Sequence, residues 1–270
     1  MKGLKPENFA NRVLHYLSWA SEHTPNVVLV EGGRDYSFFK KRLATSVKLW
    51  NVQGSTNVYE VLRYCHHKNT NVFGIVDGDY EWIRRTMECH KSIRILDENN
   101  LESLVVFTPE VKQEVSILMQ TELFEYALEC ARVLGYLRGI NHLTGNSWRF
   151  KPSSDERSPV RLEIINSLLS NQDNMDKVRF KSELVELFDY DFDELEQNIT
   201  RIKEMNLYSE KQLVNGKDLI YFVAKLINRN EDKLFDKFDR AHGQTKYLQT
   251  AIFQDIVNLG LEVRSKYYPK

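Results

Sequence analysis

The chain has 270 residues, 42% of them hydrophobic, with 37 basic and 38 acidic side chains and a net charge of −1. That length and apolar content suit one large folded domain or two small ones, and the balanced charge leaves any polyanion-binding surface to be local. No apolar run is long enough to cross a bilayer, the Met1-Lys-Gly-Leu-Lys-Pro-Glu7 start lacks a signal-type apolar stretch, and three cysteines without Cys-x-x-Cys spacing do not read as a disulfide framework; the expectation is a cytoplasmic protein in a reducing compartment, with no membrane partner.

Residues 7–22 carry Phe9, Val13, Leu14, Leu17 and Trp19 at helical spacing and lead through Pro25 into Asn26-Val-Val-Leu-Val-Glu31-Gly-Gly. That apolar run reads as a strand buried on both faces. Asp35 to Leu43 reads as a helix with Asp35 at its N-cap, Ser46 to Val52 alternates as a strand, and Gly54-Ser-Thr-Asn57 turns into a helix over Val58–His67. A second uninterrupted apolar run, Asn71-Val-Phe-Gly-Ile-Val, ends at Asp77-Gly78-Asp79. Ser92–Leu96 is a further strand, and Asp97-Glu-Asn-Asn-Leu-Glu102 opens the next helix. This order of elements predicts a compact parallel α/β unit.

Beyond Pro109 the pattern becomes helical, over 110–135, 160–170, 178–205, 217–228 and 245–259, with no comparable strand. The expected organisation is an α/β domain over 1–108 and a mainly α-helical domain over 109–270 for substrate or partner contacts. One polar, proline-punctuated loop runs from Gly145 to Pro159 and mixes Trp148 and Phe150 with Arg149, Lys151 and Arg157, a composition for base stacking and phosphate contact or for an ordinary solvated loop. Cys65-His66-His67 and Cys89-His90 hold zinc-type donors, but chain neighbours rarely point at one metal, so packed thiols and surface histidines are the expectation.

The acids stand where chemistry is expected. Glu31 ends one buried run, and Asp77 and Asp79 end another; ligands of open parallel sheets bind outside the carboxyl ends of the strands. A single acid after a strand is ordinarily a turn residue or helix cap. Carboxylates delivered from two such strands instead favour a hard divalent cation, Mg²⁺ or Mn²⁺. Such an ion polarises a phosphoryl oxygen and lowers the pKa of a water. Asp77 and Asp79 are then metal ligands and Glu31 a ligand or general base, with Glu102 a candidate for a second metal site and Asp35 a weaker one. Arg84 and Arg85, beside Trp82, are candidates for a phosphate-binding rim, or a snorkelling helix face. Lys217 is a candidate to neutralise developing negative charge, or a surface lysine at a helix start.

Val30-Glu31-Gly32 followed by Asp77-Gly78-Asp79 at a separation of 46 positions resembles the Toprim domain of topoisomerases, bacterial primases and overcoming-lysogenization-defect (OLD) nucleases, over about residues 26–108. Within that family the chain is similar to the short Toprim effectors of anti-phage defence systems, PARIS among them. The likeness rests on the Asp-Tyr and Phe-Phe after Val-Glu-Gly, on Gly-Ile-Val-Asp-Gly-Asp, on Asn100-Leu101-Glu102 and on Gly216-Lys217-Asp-Leu. The resemblance implies a toxic metal-dependent endonuclease that cleaves RNA, transfer RNA first among them, or DNA. It further implies control by a separate ABC-type ATPase or assembly as a homodimer; the chain carries no Walker-type phosphate loop, since Asn215-Gly-Lys-Asp does not match one. The alternative is a non-catalytic partner of such an ATPase whose carboxylates bind metal or nucleotide only to regulate assembly.

Overall fold

In the computed structural model the described residues are 5–19, 26–66, 71–80, 92–145, 159–204 and 209–261. The chain divides into two compact units. One comprises Met1–Asp77, Glu88–Asp97 and Gly243–Lys270, the other Gly78–Met87 and Glu98–His242. The division therefore differs from a single cut after residue 108: Gly78 and the strand-leaving segment go with the helices, and the segment from Gly243 returns to the α/β unit.

In the first unit, α1 (Pro6–Trp19) precedes β1 (Val27–Val30), α2 (Gly33–Arg42), β2 (Lys48–Asn51), α3 (Ser55–His66), β3 (Val72–Val76) and β4 (Ile93–Ile95). The four strands form a parallel sheet in the order β2-β1-β3-β4. All four β1 residues are buried, as an uninterrupted apolar run requires when both faces are covered. Val27 and Leu29 join Phe9 and Val13 of α1 and Val58, Val61, Leu62 and Cys65 of α3 in one core cluster. On α2, Phe38 and Phe39 are buried with Tyr247 and Phe253, two of whose ring pairs, Phe38 with Phe39 and Phe38 with Tyr247, meet edge to face. Tyr247 and Phe253 come from α13 (Gln244–Tyr247) and α14 (Ala251–Asn258), read in sequence as one helix. Arg42 is buried among them, its guanidinium 3.6 Å from the Phe38 ring centre and 4.3 Å from that of Tyr247, with Nη1 donating to the Phe38 carbonyl. Stacking on both rings offsets much of the cost of burying that charge.

Element ends shift from the sequence expectation. The α2 helix starts at Gly33 with Gly32 as N-cap, so Asp35 lies inside the first turn rather than capping it. The β2 strand is shorter than Ser46–Val52, and α3 begins at Ser55 instead of Val58.

The second unit is helical over its described residues. It contains α4 (Leu101–Val106), α5 (Pro109–Leu118), α6 (Thr121–Thr144), α7 (Pro159–Ser170), α8 (Lys177–Leu187), α9 (Phe192–Glu204), α10 (Glu210–Leu213), α11 (Gly216–Leu226) and α12 (Glu231–His242). The run expected over 110–135 is two helices because Met119 and Gln120 are extended. The run over 178–205 is likewise two, parted where Asp189 takes a φ of 48°. Every residue of α4 is buried, and so are most of those of α11, which packs against it.

Candidate functional site

The order β2-β1-β3-β4 means that the chain leaves β1 toward one edge of the sheet and β3 toward the other. Between the carboxyl ends of these two neighbours lies the topological switch point, the crevice at which ligands of open α/β sheets bind. Glu31 follows β1 directly and Asp77 follows β3, with Val30 paired to Ile75 in the register. The Asp77 main-chain N–H donates to Glu31 Oε1 at 2.8 Å, and the Glu31 carbonyl accepts from Gly54 N at 2.8 Å. Glu31 is thus held at its side chain by the end of β3 and at its backbone by the turn after β2. A hydrogen bond to an ionised carboxylate is about twice as strong as a neutral one. The Asp35 carboxylate folds back over Gly32, where a Cβ would stand 3.0 Å from its Oδ2.

Asp79, Glu102 and Lys217 belong to the second unit. Asp79 is exposed and adopts a φ of 40°, a left-handed backbone that aspartate tolerates better than most residues. Its N–H donates to the Asn99 carbonyl at 2.7 Å, and its own carbonyl accepts from Asn99 Nδ2 at 3.0 Å. The next residue, Tyr80, is buried with its hydroxyl donating to the Leu213 carbonyl at 3.1 Å. Burial pushes the Tyr80 phenol well above its ordinary value, so it stays protonated.

Glu102 is 1% exposed in the first turn of α4, and Lys217 Nζ on α11 stands 3.9 Å from its Oε2. The two helix starts that carry them are tied together. Asn100 caps α4 by accepting from Ser103 N and donates Nδ2 to Asn215 Oδ1 at 2.8 Å, while Asn215 caps α11 by accepting from Lys217 N. Ser103 Oγ donates to the Val214 carbonyl and accepts from Gly216 N. At Gly216 a Cβ would overlap the Ser103 nitrogen and the Glu102 carbonyl carbon, so only glycine lets the two backbones meet.

The structure therefore brings Glu31 to Asp77, and Glu102 to Lys217. Asp35 sits in the α2 first turn, and Asp79 is placed by Asn99. Trp82, Arg84 and Arg85 lie outside the described residues, as do Trp148, Arg149, Phe150, Lys151 and Arg157 of the long loop and His67, Cys89 and His90. Cys65 is a buried thiol of the first unit's core. Among the described residues no group of three or more His, Cys, Asp or Glu side chains is gathered closely enough to hold a metal ion, and no helix is long and apolar enough to cross a membrane. No protein-family model matches the chain, and a comparison with curated proteins gives no match either. Sequence reasoning missed Asn99, Asn100, Ser103 and Asn215. The signal for Asn100 and Asn215 was available, since each is an N-cap residue type directly before an apolar helix; Asn99 and Ser103 had none.

Proposed function

We propose that the chain is a Mg²⁺- or Mn²⁺-dependent endonuclease of Toprim type, the toxic effector of an anti-phage defence system, cleaving RNA, with transfer RNA the first candidate, or DNA under the control of a separate ABC-type ATPase. The observation that carries the reading is the pairing of Glu31 with Asp77 at the switch point of a parallel sheet. Two carboxylates on adjacent strand ends suit Mg²⁺, which keeps several waters and is ordinarily bound by one or two carboxylates plus substrate phosphate rather than by a full protein cage. Asp77 and Asp79 are the proposed ligands and Glu31 a ligand or general base, with Glu102 a candidate for a second metal site. The bound ion supplies neutralisation of phosphate charge and a more acidic water. The Asp77 N–H restrains the Glu31 carboxylate in one orientation, the condition for a group that must hold an ion or take a proton at a fixed place. Lys217, beside Glu102, supplies positive charge for the phosphate.

The test is cleavage of transfer RNA, other RNA and DNA by the full chain with Mg²⁺ or Mn²⁺, using wild type, Glu31→Gln and Asp77→Asn, alone and with the proposed ABC-type ATPase partner, before and after phage infection of producing cells. Metal-dependent cleavage by wild type alone supports the nuclease. Intact nucleic acid throughout, with retained ATPase binding, replaces it with the regulatory partner.

A further inference from the structure

The clamp on Asp79 is the feature of the second unit that its helical packing does not account for. Asn99 is fully buried, and its side-chain amide donates twice, to the Asp79 carbonyl and to the Gln212 carbonyl, each at 3.0 Å. Its main chain is used as well, the carbonyl accepting from Asp79 N at 2.7 Å and the N–H donating to the Lys211 carbonyl at 2.8 Å. Residues 79 and 99 thus exchange two hydrogen bonds across 20 positions of sequence and are tied together to α10. A non-glycine residue in the left-handed region costs of order 1 kcal/mol or more and persists only where its surroundings enforce it. Here both polar groups of the Asp79 backbone are engaged by one buried residue while its side chain is exposed. No apolar side chain at 99 can donate to the Asp79 carbonyl.

We infer that Asn99 is a positioning residue for Asp79: it fixes the left-handed backbone from which the exposed carboxylate projects, and so sets the affinity with which Asp79 takes a divalent cation. The inference rests on the proposed role of Asp79 as a metal ligand. Residues that orient a ligand in this way typically change metal affinity by about 10- to 100-fold when removed.

The test measures Mn²⁺ binding to the full chain by calorimetry, beside thermal unfolding, for wild type, Asn99→Ala, Asn99→Ser and Tyr80→Phe. Asn99→Ala is expected to weaken Mn²⁺ binding by about 10-fold or more, with Asn99→Ser, which keeps a small donor, in between and available should the alanine variant fail to fold. Tyr80→Phe removes the phenol's bonds to the Leu213 carbonyl and to Asn99 but leaves every bond between Asn99 and Asp79, so it is expected to lower the melting temperature with wild-type Mn²⁺ affinity. Unchanged affinity in the folded Asn99 variants overturns the inference and leaves the metal reading standing. An equal loss in Tyr80→Phe overturns it too, because general loosening of the segment would then set the affinity. Absence of Mn²⁺ binding by wild type removes the metal reading and this inference together.

Discussion

Arg138 of α6 and Asp218 of α11 form a two-pronged ion pair, Nε to Oδ2 at 2.9 Å and Nη2 to Oδ1 at 3.1 Å, with each side chain only 17% exposed. Asp218 directly follows Lys217, so the pair fixes the turn of helix from which that lysine projects. Asp218→Ala removes the two-pronged carboxylate partner of a largely buried guanidinium and is expected to cost about 3 kcal/mol, read as a lower urea midpoint at unchanged slope. Arg138→Lys does not rescue the pair, because an ammonium cannot reproduce the planar fork.

Gly216 and Gly54 separate two reasons for a glycine. At Gly216 the obstacle is the main chain of α4, which cannot yield without parting the two capped helix starts, so Gly216→Ala is expected to cost about 3 kcal/mol or more. At Gly54 nothing lies near a new Cβ, but φ is 122°, and Gly54→Ala is expected to cost about 1 kcal/mol through the backbone alone. Chemical denaturation of the two variants side by side checks the ranking.

Glu31 has a structural and a proposed chemical role that substitution can part. Glu31→Gln keeps an oxygen to accept from the Asp77 N–H and should unfold within about 1 kcal/mol of wild type. It is nevertheless expected to lose metal-dependent cleavage by about 100-fold or more, as removal of a ligand or general base does. Glu31→Ala loses both, so its unfolding midpoint should fall as well.

The fold and the site were legible in sequence to different depths. β1 and β3 stood out because strands buried on both faces need uninterrupted apolar runs, and Glu31 and Asp77 were visible with them. The start of α2 was not, because glycine is a poor helix former and Gly33 enters the helix on the geometry of the strand end rather than on propensity. The break at Met119–Gln120 was hidden by two residues that suit helices, with the apolar period running on across them. In α12, Leu234, Phe235, Phe238 and His242 are buried at helical spacing, a signal present in the sequence but masked by dense charge. Asn99 was beyond reach: a side chain that serves a backbone 20 positions earlier leaves no period and no motif.

Stability at alkaline pH should depend on Tyr80. Its phenol, ordinarily titrating near 10, is raised by burial, countered in part by Arg138 and the Asn99 hydrogen bond. The folded state therefore keeps a proton that the unfolded chain releases, so the contribution is whole below about pH 10 and is lost as pH rises beyond it. Tyr126, also raised by burial first and by its neighbour Cys130 next, acts in the same direction. Tyr80→Phe is expected to make the fall in melting temperature above pH 10 shallower; an unchanged slope would leave Tyr126 to account for it.

The return of residues 243–261 to the α/β unit sets an order of events during synthesis. A nascent chain that has emerged as far as β4 already contains both strands that carry Glu31 and Asp77. Yet Phe38, Phe39 and the Arg42 guanidinium wait for Tyr247 and Phe253, and Arg94 of β4 for Asp255, 3.5 Å away in the finished fold. Residues 98–242 of the helical unit must be translated in between. A truncated product therefore carries the acidic motifs on a unit whose aromatic cluster around α2 is left open, with the Arg42 guanidinium lacking one of its two rings.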